Sequence, residues 1–396
     1  MIQALKLVAK PVNPMTHRRQ AAPLAGGVAI PLLVMCAAVS AAAQQTKPER
    51  LIQAGHWKQA RAIVESHLHE SPDDPLATFL LSQIRHAFGE DTTPLRLAER
   101  AVALNGRVAK FHRQLAEVLG VRAQRAGPIQ ELLLARRFRK EIDLAIELDP
   151  RDAQALRDLL EFYLLAPGIA GGDLRKAEQT AERILNINAP EGFLAKARIA
   201  SFERRASETE ALLRQAARAQ PLSYRAQIEL ARFYLDKEPA ELEAAETAAK
   251  VAAKLDPSRV DSYAVLSRIY ADRAEWTELE AVLQQSSRQV PDDLAPYYRA
   301  AEQLLGRGRD PSRSERYFRV YLAQEPEGNE PPAAEAHWKL GLALEAQGHL
   351  VEAIAEWEQA LRLDRESPAA RELKRLRGSR AADAPHVSPG LRGAQT

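Results

Sequence analysis

Beyond residue 45 the apolar residues recur every three or four positions, the spacing of helices that bury one face. In 224–235, YRAQIELARFYL, the residues Ile228, Leu230, Ala231 and Tyr234 share a side. In 241–255, ELEAAETAAKVAAKL, the residues Ala245, Ala249 and Ala252 form a stripe of small side chains. Small residues let a partner helix bring its Leu and Tyr close. The pattern therefore predicts helices in pairs, a bulky face against a small one. No alternating β-branched run follows residue 45, so no strand is predicted.

Turn residues punctuate these pairs at a fixed interval. Gly106 follows Pro72 by 34 residues, and Pro221, Pro257, Pro291 and Pro326 stand 36, 34 and 35 apart. Three units end alike, in AIELDP at Pro150, AAKLDP at Pro257 and ALRLDR at Arg365. Taking Pro72, Gly106, Pro150, Ala189, Pro221, Pro257, Pro291, Pro326 and Arg365 as unit ends makes about nine repeats. Three insertions interrupt the period: the 44 residues from Gly106 to Pro150, the segment LAPGIAGG at 165–172, and EGNEPPA after Pro326. Insertions in a repeat array map to one face, often the binding face.

The pattern resembles the tetratricopeptide repeat, with its W-x2-L-G-x2-Y, A-x3-F and P positions. Leu340-Gly341-x2-Leu344, Gly348 and Ala353-x3-Trp357-x2-Ala360 match it most clearly. Leu159-Leu160-x2-Tyr163, Leu230-Ala231-x2-Tyr234, Tyr263-x2-Leu266-Ser267-x2-Tyr270, and Gly55 with Ala60-x3-Val64 follow. The resemblance implies an all-α fold, one right-handed α-solenoid of about nine tetratricopeptide-like helix pairs over 46–377, in place of several domains. Residues 378–396, rich in Gly, Pro, Ser and Ala, are expected to be a disordered tail. The stretch EFYLLAPGIAGGDLRKAE at 161–178 is similar to a segment of exported bacterial repeat proteins of unassigned role. In the family, the first helix of each pair lines a concave groove. Transferring that register places Phe79, Lys110, Arg113, Glu117, Arg157, Glu161, Arg225, Arg232, Arg268, Tyr298 and Trp338 in the groove. Arginine and aromatic side chains are those that dominate binding surfaces. The family's asparagine-containing clamp for C-terminal carboxylates is missing, so that specificity is not carried over. Trp276 and Trp357 fall at packing positions.

Residues 1–43 differ in kind. Lys6, Lys10, Arg18 and Arg19 stand there with no acid, and Leu24–Ala43 is an uncharged apolar run. Basic residues, an apolar stretch and small residues at Ala41 and Ala43 describe a signal peptide cleaved after Ala43. Met15 offers a second start. The run of 20 is also long enough for an uncleaved inner-membrane anchor, a reading weakened by Gly26, Gly27 and Pro31. Met35 before Cys36 is a poor lipobox. Export would leave a periplasmic or secreted chain. Cleavage would take the formal charge from +2 to −2 and remove Cys36 and all three methionines. No disulfide or thiolate chemistry would then remain.

That near-neutral balance argues against nucleic acid as a partner. Charge is nonetheless polarised: 107–140 carries nine Lys or Arg against two Glu, and 325–358 carries eight Glu against one Lys. Such an asymmetry orients a charged partner on encounter. His56, His67, His69, His86 and His112 crowd the early repeats without an H-E-x-x-H and are expected to be solvated or to line the groove. The loop PGIAGG has Asp173 where a phosphate loop needs its cation, so it is expected to be a turn. Glu238, Glu241, Glu243 and Glu246 are expected on a solvated face. No serine stands in G-x-S-x-G. The expectation is a non-enzymatic adaptor without cofactor or metal. It would bind a protein or peptide with acidic groups, and would meet a membrane only through an uncleaved leader. The alternative is a small-molecule or glycan-binding factor of envelope biogenesis that uses the insertions at 120–172.

Overall fold

The computed structural model describes residues 45–328 and 331–382. The leader, with Ala41 and Ala43, and the distal tail lie outside the described residues. Among those described there are helices and no strands. The helices run in nine antiparallel-type pairs followed by a single last helix: α1 Lys47–Ala54 with α2 Trp57–Glu70, α3 Pro75–Ala87 with α4 Thr93–Leu104, and α5 Ala109–Gln124 with α6 Pro128–Leu148. Next come α7 Ala153–Leu165 with α8 Leu174–Ile187, α9 Ala189–Phe202 with α10 Ala206–Arg218, and α11 Tyr224–Leu235 with α12 Leu242–Leu255. Then follow α13 Asp261–Arg273 with α14 Trp276–Gln289, α15 Ala295–Gly306 with α16 Pro311–Leu322, α17 Ala333–Glu345 with α18 Leu350–Leu363, and α19 Ala369–Ala382. The second helices end where the turn residues place them. The 44-residue unit lengthens α5 and, above all, α6. One correction falls at the C-terminus. Helix α19 continues past 377 to Ala382, because Leu373 and Leu376 pack on the core and Arg and Ala extend a helix at little cost.

The recurring helix ends share one local device. Asn105, Asp149, Asp256 and Asp364 follow α4, α6, α12 and α18 in extended conformation. Each side chain accepts a hydrogen bond from the backbone N–H two residues on, at Arg107, Arg151, Ser258 and Glu366. These Asx turns stop the second helix and start the next unit. Between α8 and α9 one residue suffices, since Asn188 ends the first helix and its side chain accepts from Glu191 N to cap the second. The PGIAGG loop is a turn: Gly171 has φ +106, and a Cβ on Gly172 would lie 1.9 Å from the Ala166 carbonyl oxygen.

Packing follows the small-against-large rule. Ala245, Ala249 and Ala252 on α12 are fully buried, as are Tyr263 and Ile269 on α13. The core is a strip handed from unit to unit, in successive clusters over 60–111, 98–199 and 194–369, as expected where each repeat leans on its neighbours.

One set of contacts departs from that one-dimensional scheme. The first helix pair meets loops more than 230 residues away. His56 Nδ1 lies 2.9 Å from Asp292 Oδ2, and Gln59 donates to the same oxygen at 2.8 Å. Lys58 N donates to Glu327 Oε1 at 2.6 Å, and its ammonium lies 3.2 Å from Oε2. Arg61 donates through both terminal nitrogens to Glu325, at 3.0 and 2.7 Å. Gly328, with φ +76, packs so close that a Cβ there would stand 3.1 Å from the Ala87 carbonyl oxygen. The loops that follow α14 and α16, the second carrying the insertion after Pro326, thus clasp the first pair.

Proton linkage predicts how this clasp responds to pH. The bond to Asp292 raises His56 above its ordinary value, a contribution complete below that value and lost as pH climbs through the raised one. Burial opposes the charge on Asp292, but His56 holds it below the usual carboxylate range, so its contribution fades only in strong acid. Burial pushes Glu327 up to about 7 and Asp293 to about 6, so each ionises in the fold at a cost as pH rises. His56, Glu327 and Asp293 thus make the clasp weaken between about pH 5 and pH 8, whereas Asp292 and Glu325, which Arg61 also holds low, matter only in acid. The melting temperature should fall across that range, and His56→Gln and Glu327→Gln should each flatten the fall. Parallel curves for the variants and the native chain would refute the assignment.

Candidate functional site: the concave face

The first helices of successive pairs face a common chamber of about 710 Å³, lined from α1, α3, α5, α7, α9 and α11. Phe79, Lys110, Arg113, Glu117, Arg157 and Arg225 all line it. Glu161 and Arg232, with Arg157 and Arg225 again, line an adjoining hollow of about 470 Å³. Arg268 lines a third, beside Asp236, Asp272 and Arg307. Two predicted positions are corrected. Tyr298 is fully buried against Phe318 and Tyr321, so it offers no surface to a partner. Trp338 is half-buried and packs on the core, its carbonyl accepting from the Trp357 indole at 3.1 Å. Tyr298 packs against the next helix because apolar area gains more there than in water. Phe79 is nearly as buried, with the Phe111 ring at 5.1 Å and Lys110 Nζ over its ring at 5.4 Å.

The arginines are not a free basic surface. Each meets an acid on a neighbouring unit: Arg157–Glu191 at 3.1 Å, Arg198–Glu161 at 2.9 Å, Arg232–Asp261 at 2.7 Å and Arg268–Asp236 at 3.4 Å. Arg307–Asp272 at 2.5 Å and Lys339–Glu302 continue the series. Charges one period apart on consecutive units thus form a ladder of ion pairs along the concave face. Partly exposed pairs of this kind each contribute up to about 1 kcal/mol; together they fix how one unit sits on the next. The partners Glu191, Arg198, Asp236, Asp261, Asp272 and Glu302 were not singled out from the sequence. An opposite charge about 30–37 residues from each chosen arginine was the available signal.

The ladder is unbalanced at one rung. Arg157 and Arg225 both donate to the single oxygen Glu191 Oε2. Two guanidiniums share one carboxylate, and burial together with the Arg157 charge holds Arg225 below the ordinary arginine value. Arg113 is the reverse case: its guanidinium stands 3.8 Å from Glu117, 3.9 Å from Asp152 and 3.7 Å from Asp158, and its Nε, closed to solvent, makes no hydrogen bond.

The histidines are tied to the scaffold more than expected. His56 belongs to the clasp, and His112 is buried with Nδ1 2.7 Å from Glu141 and Nε2 3.0 Å from the Gly106 carbonyl, joining α5 to α6. His67 pairs with Asp74 at 3.2 Å. His56 and His112 can be buried because each finds a partner, whereas His67 stays exposed. Of the Glu cluster, Glu246 is taken up by Tyr270, Lys250 and Arg273. Among the described residues no group of three or more His, Cys, Asp or Glu side chains is placed to hold a metal ion, and no helix is long and apolar enough to cross a membrane.

No family model matches the sequence, and neither does any curated protein. Similar solved structures include TTC0263, a thermophilic TPR protein in Thermus thermophilus, at 21% identity over 48% of this chain and 95% of that one, with a TM-score of 0.42. PilW, a type IV pilus biogenesis factor, is 17% identical over 56% of this chain and 97% of its own, with a TM-score of 0.42. Yeast Tom70 is 12% identical over 85% and 87%, with a TM-score of 0.45. On its own helix pairing and period, the chain is an all-α solenoid of tetratricopeptide-like helix pairs.

Proposed function

We propose that this protein is an exported, non-enzymatic adaptor that holds a segment of another protein against its concave face. The observation that carries the reading is the Arg157–Glu191–Arg225 rung, one net positive charge facing the shared chamber. An acidic side chain of a partner, entering there, completes the second guanidinium's pairing through charge-assisted hydrogen bonds. Arg232 and Arg268 each have a carboxylate of their own and contribute less to this recognition. Export rests on the leader, with the periplasm or the exterior as destination and an uncleaved inner-membrane anchor as the alternative.

The test is affinity capture from the export compartment. Arg157→Gln with Arg225→Gln should lose partners that the native chain retains, while Arg232→Gln with Arg268→Gln should keep them. An unchanged partner set in the first variant would overturn the groove assignment.

A further inference from the structure

The two early insertions build a further cavity that does not include the rung at Glu191. It holds about 210 Å³ between α5, the lengthened α6 and the segment that leads from α7 into the PGIAGG loop. Its apolar lining includes Val121, Ala135, Phe138, Phe162 and Leu165. Phe138 and Phe162 stack at 5.2 Å with 10° between their planes. Gly120 admits this arrangement, since a Cβ there would already stand 3.3 Å from the Phe138 ring. On the far side Gly171 lets the loop back onto Phe162, at 3.6 Å from where a Cβ would be. The unusual segment beginning at Glu161 is therefore a wall of this cavity.

Every charged residue that lines it is an acid: Glu117, Glu131, Asp158 and Glu161. Glu161 is satisfied by both nitrogens of Arg198. Asp158 is not: its Oδ2 is closed to solvent and accepts no hydrogen bond among the described residues. Arg113, its ion-pair partner among the described residues, stands off at 3.7 Å and is divided among three carboxylates. Empty cavities in proteins are apolar throughout, and a carboxylate oxygen closed to solvent without a hydrogen bond is costly. An apolar hollow that ends at such a group is shaped for a ligand of matching polarity.

We propose that this cavity binds a small amphipathic cation, an ammonium on an apolar stem whose body lies against Phe138, Phe162 and Leu165 while its N–H groups donate to Asp158. The site shares Glu117 and Glu161 with the groove hollows, but takes a cation at Asp158 where the Glu191 rung takes an acid. Burial raises the Asp158 carboxyl to about 7; Glu117 and Asp152 add to the rise, and Arg113 and Arg157 oppose it. A bound ammonium therefore draws the proton off Asp158, and binding strengthens as pH rises. Glu131 and Glu161, facing the same space from α6 and α7, act in the same electrostatic sense.

Calorimetric titration of the full chain with n-hexylammonium, hexanol and hexanoate tests the proposal. Hexylammonium should bind one-to-one and about tenfold more tightly than hexanol, with no binding of hexanoate. Asp158→Asn, verified as folded by its melting curve, should bring the amine level with the alcohol. In the native chain the amine's affinity should rise about tenfold from pH 6 to pH 8. An Nα-acetyl-lysine amide tighter than hexylammonium would show that the cation arrives on a partner's lysine; a weaker one would show that it arrives as a free amine. Absence of saturable binding, equal affinity for amine and alcohol, or an amine affinity unchanged in Asp158→Asn would each overturn the site.

Discussion

Replacing Trp357 with alanine is expected to cost about 3–5 kcal/mol of folding stability, the largest loss from any single truncation here. The indole is fully buried, and its Nε1–H donates to the Trp338 carbonyl at 3.1 Å. It lies against Gly341 so closely that a Cβ on that glycine would meet Nε1 at 2.3 Å. Truncation removes the ring, leaves a cavity between α17 and α18, and removes the extra hydrogen bond to the Trp338 carbonyl. In an array where each unit leans on its neighbours, the loss should be graded. Urea unfolding followed by amide exchange should show α17 to α19 losing protection first, with the middle pairs retaining theirs. Uniform loss along the chain would mean that the solenoid unfolds as one block and that the ring has no local role.

Gly192→Ala should be among the most damaging small substitutions, costing about 3 kcal/mol, the upper part of the range for overpacked cores. Gly192 lies on α9 where it crosses α8, and a Cβ there would stand 2.1 Å from the Leu185 Cα and 2.5 Å from its backbone nitrogen. Backbone cannot rotate aside as a side chain does, so the two helices must separate. The one-residue link at Asn188 leaves little slack for that. Gly306→Ala is the matched control: it ends α15 with nothing within 4 Å of its Cβ position, and the substitution should be neutral or stabilising by up to about 1 kcal/mol. Equal melting temperatures for the two variants would show that α8 and α9 do not approach as closely as described.

Much of this architecture was legible in the chain. The helix over 224–235 and the small-residue stripe of the helix that follows it appear where the apolar spacing puts them. The unit ends were visible because their turn chemistry is local: an Asp or Asn side chain bonding its own backbone two residues on. Charge pairing along the concave face was not legible, although all of its residues were in view. Arg157, Arg232 and Arg268 looked available to a partner because a one-dimensional register gives the face of a helix and not what stands opposite it. Tyr298 and Trp338 misled for a related reason, since a groove position and a packing position differ by a modest rotation about the helix axis.

Sequence alone determined the helical elements, their pairing and their period, because each follows from interactions within about one unit of chain. Tertiary structure alone decided three things. It brought Lys58 and Arg61 against Glu327 and Glu325, a closure set by curvature accumulated over many units. It made Arg157 and Arg225 share Glu191. It also enclosed Asp158 between two insertions. All three depend on small rotations summed from one helix pair to the next, and no local pattern of residues encodes that sum.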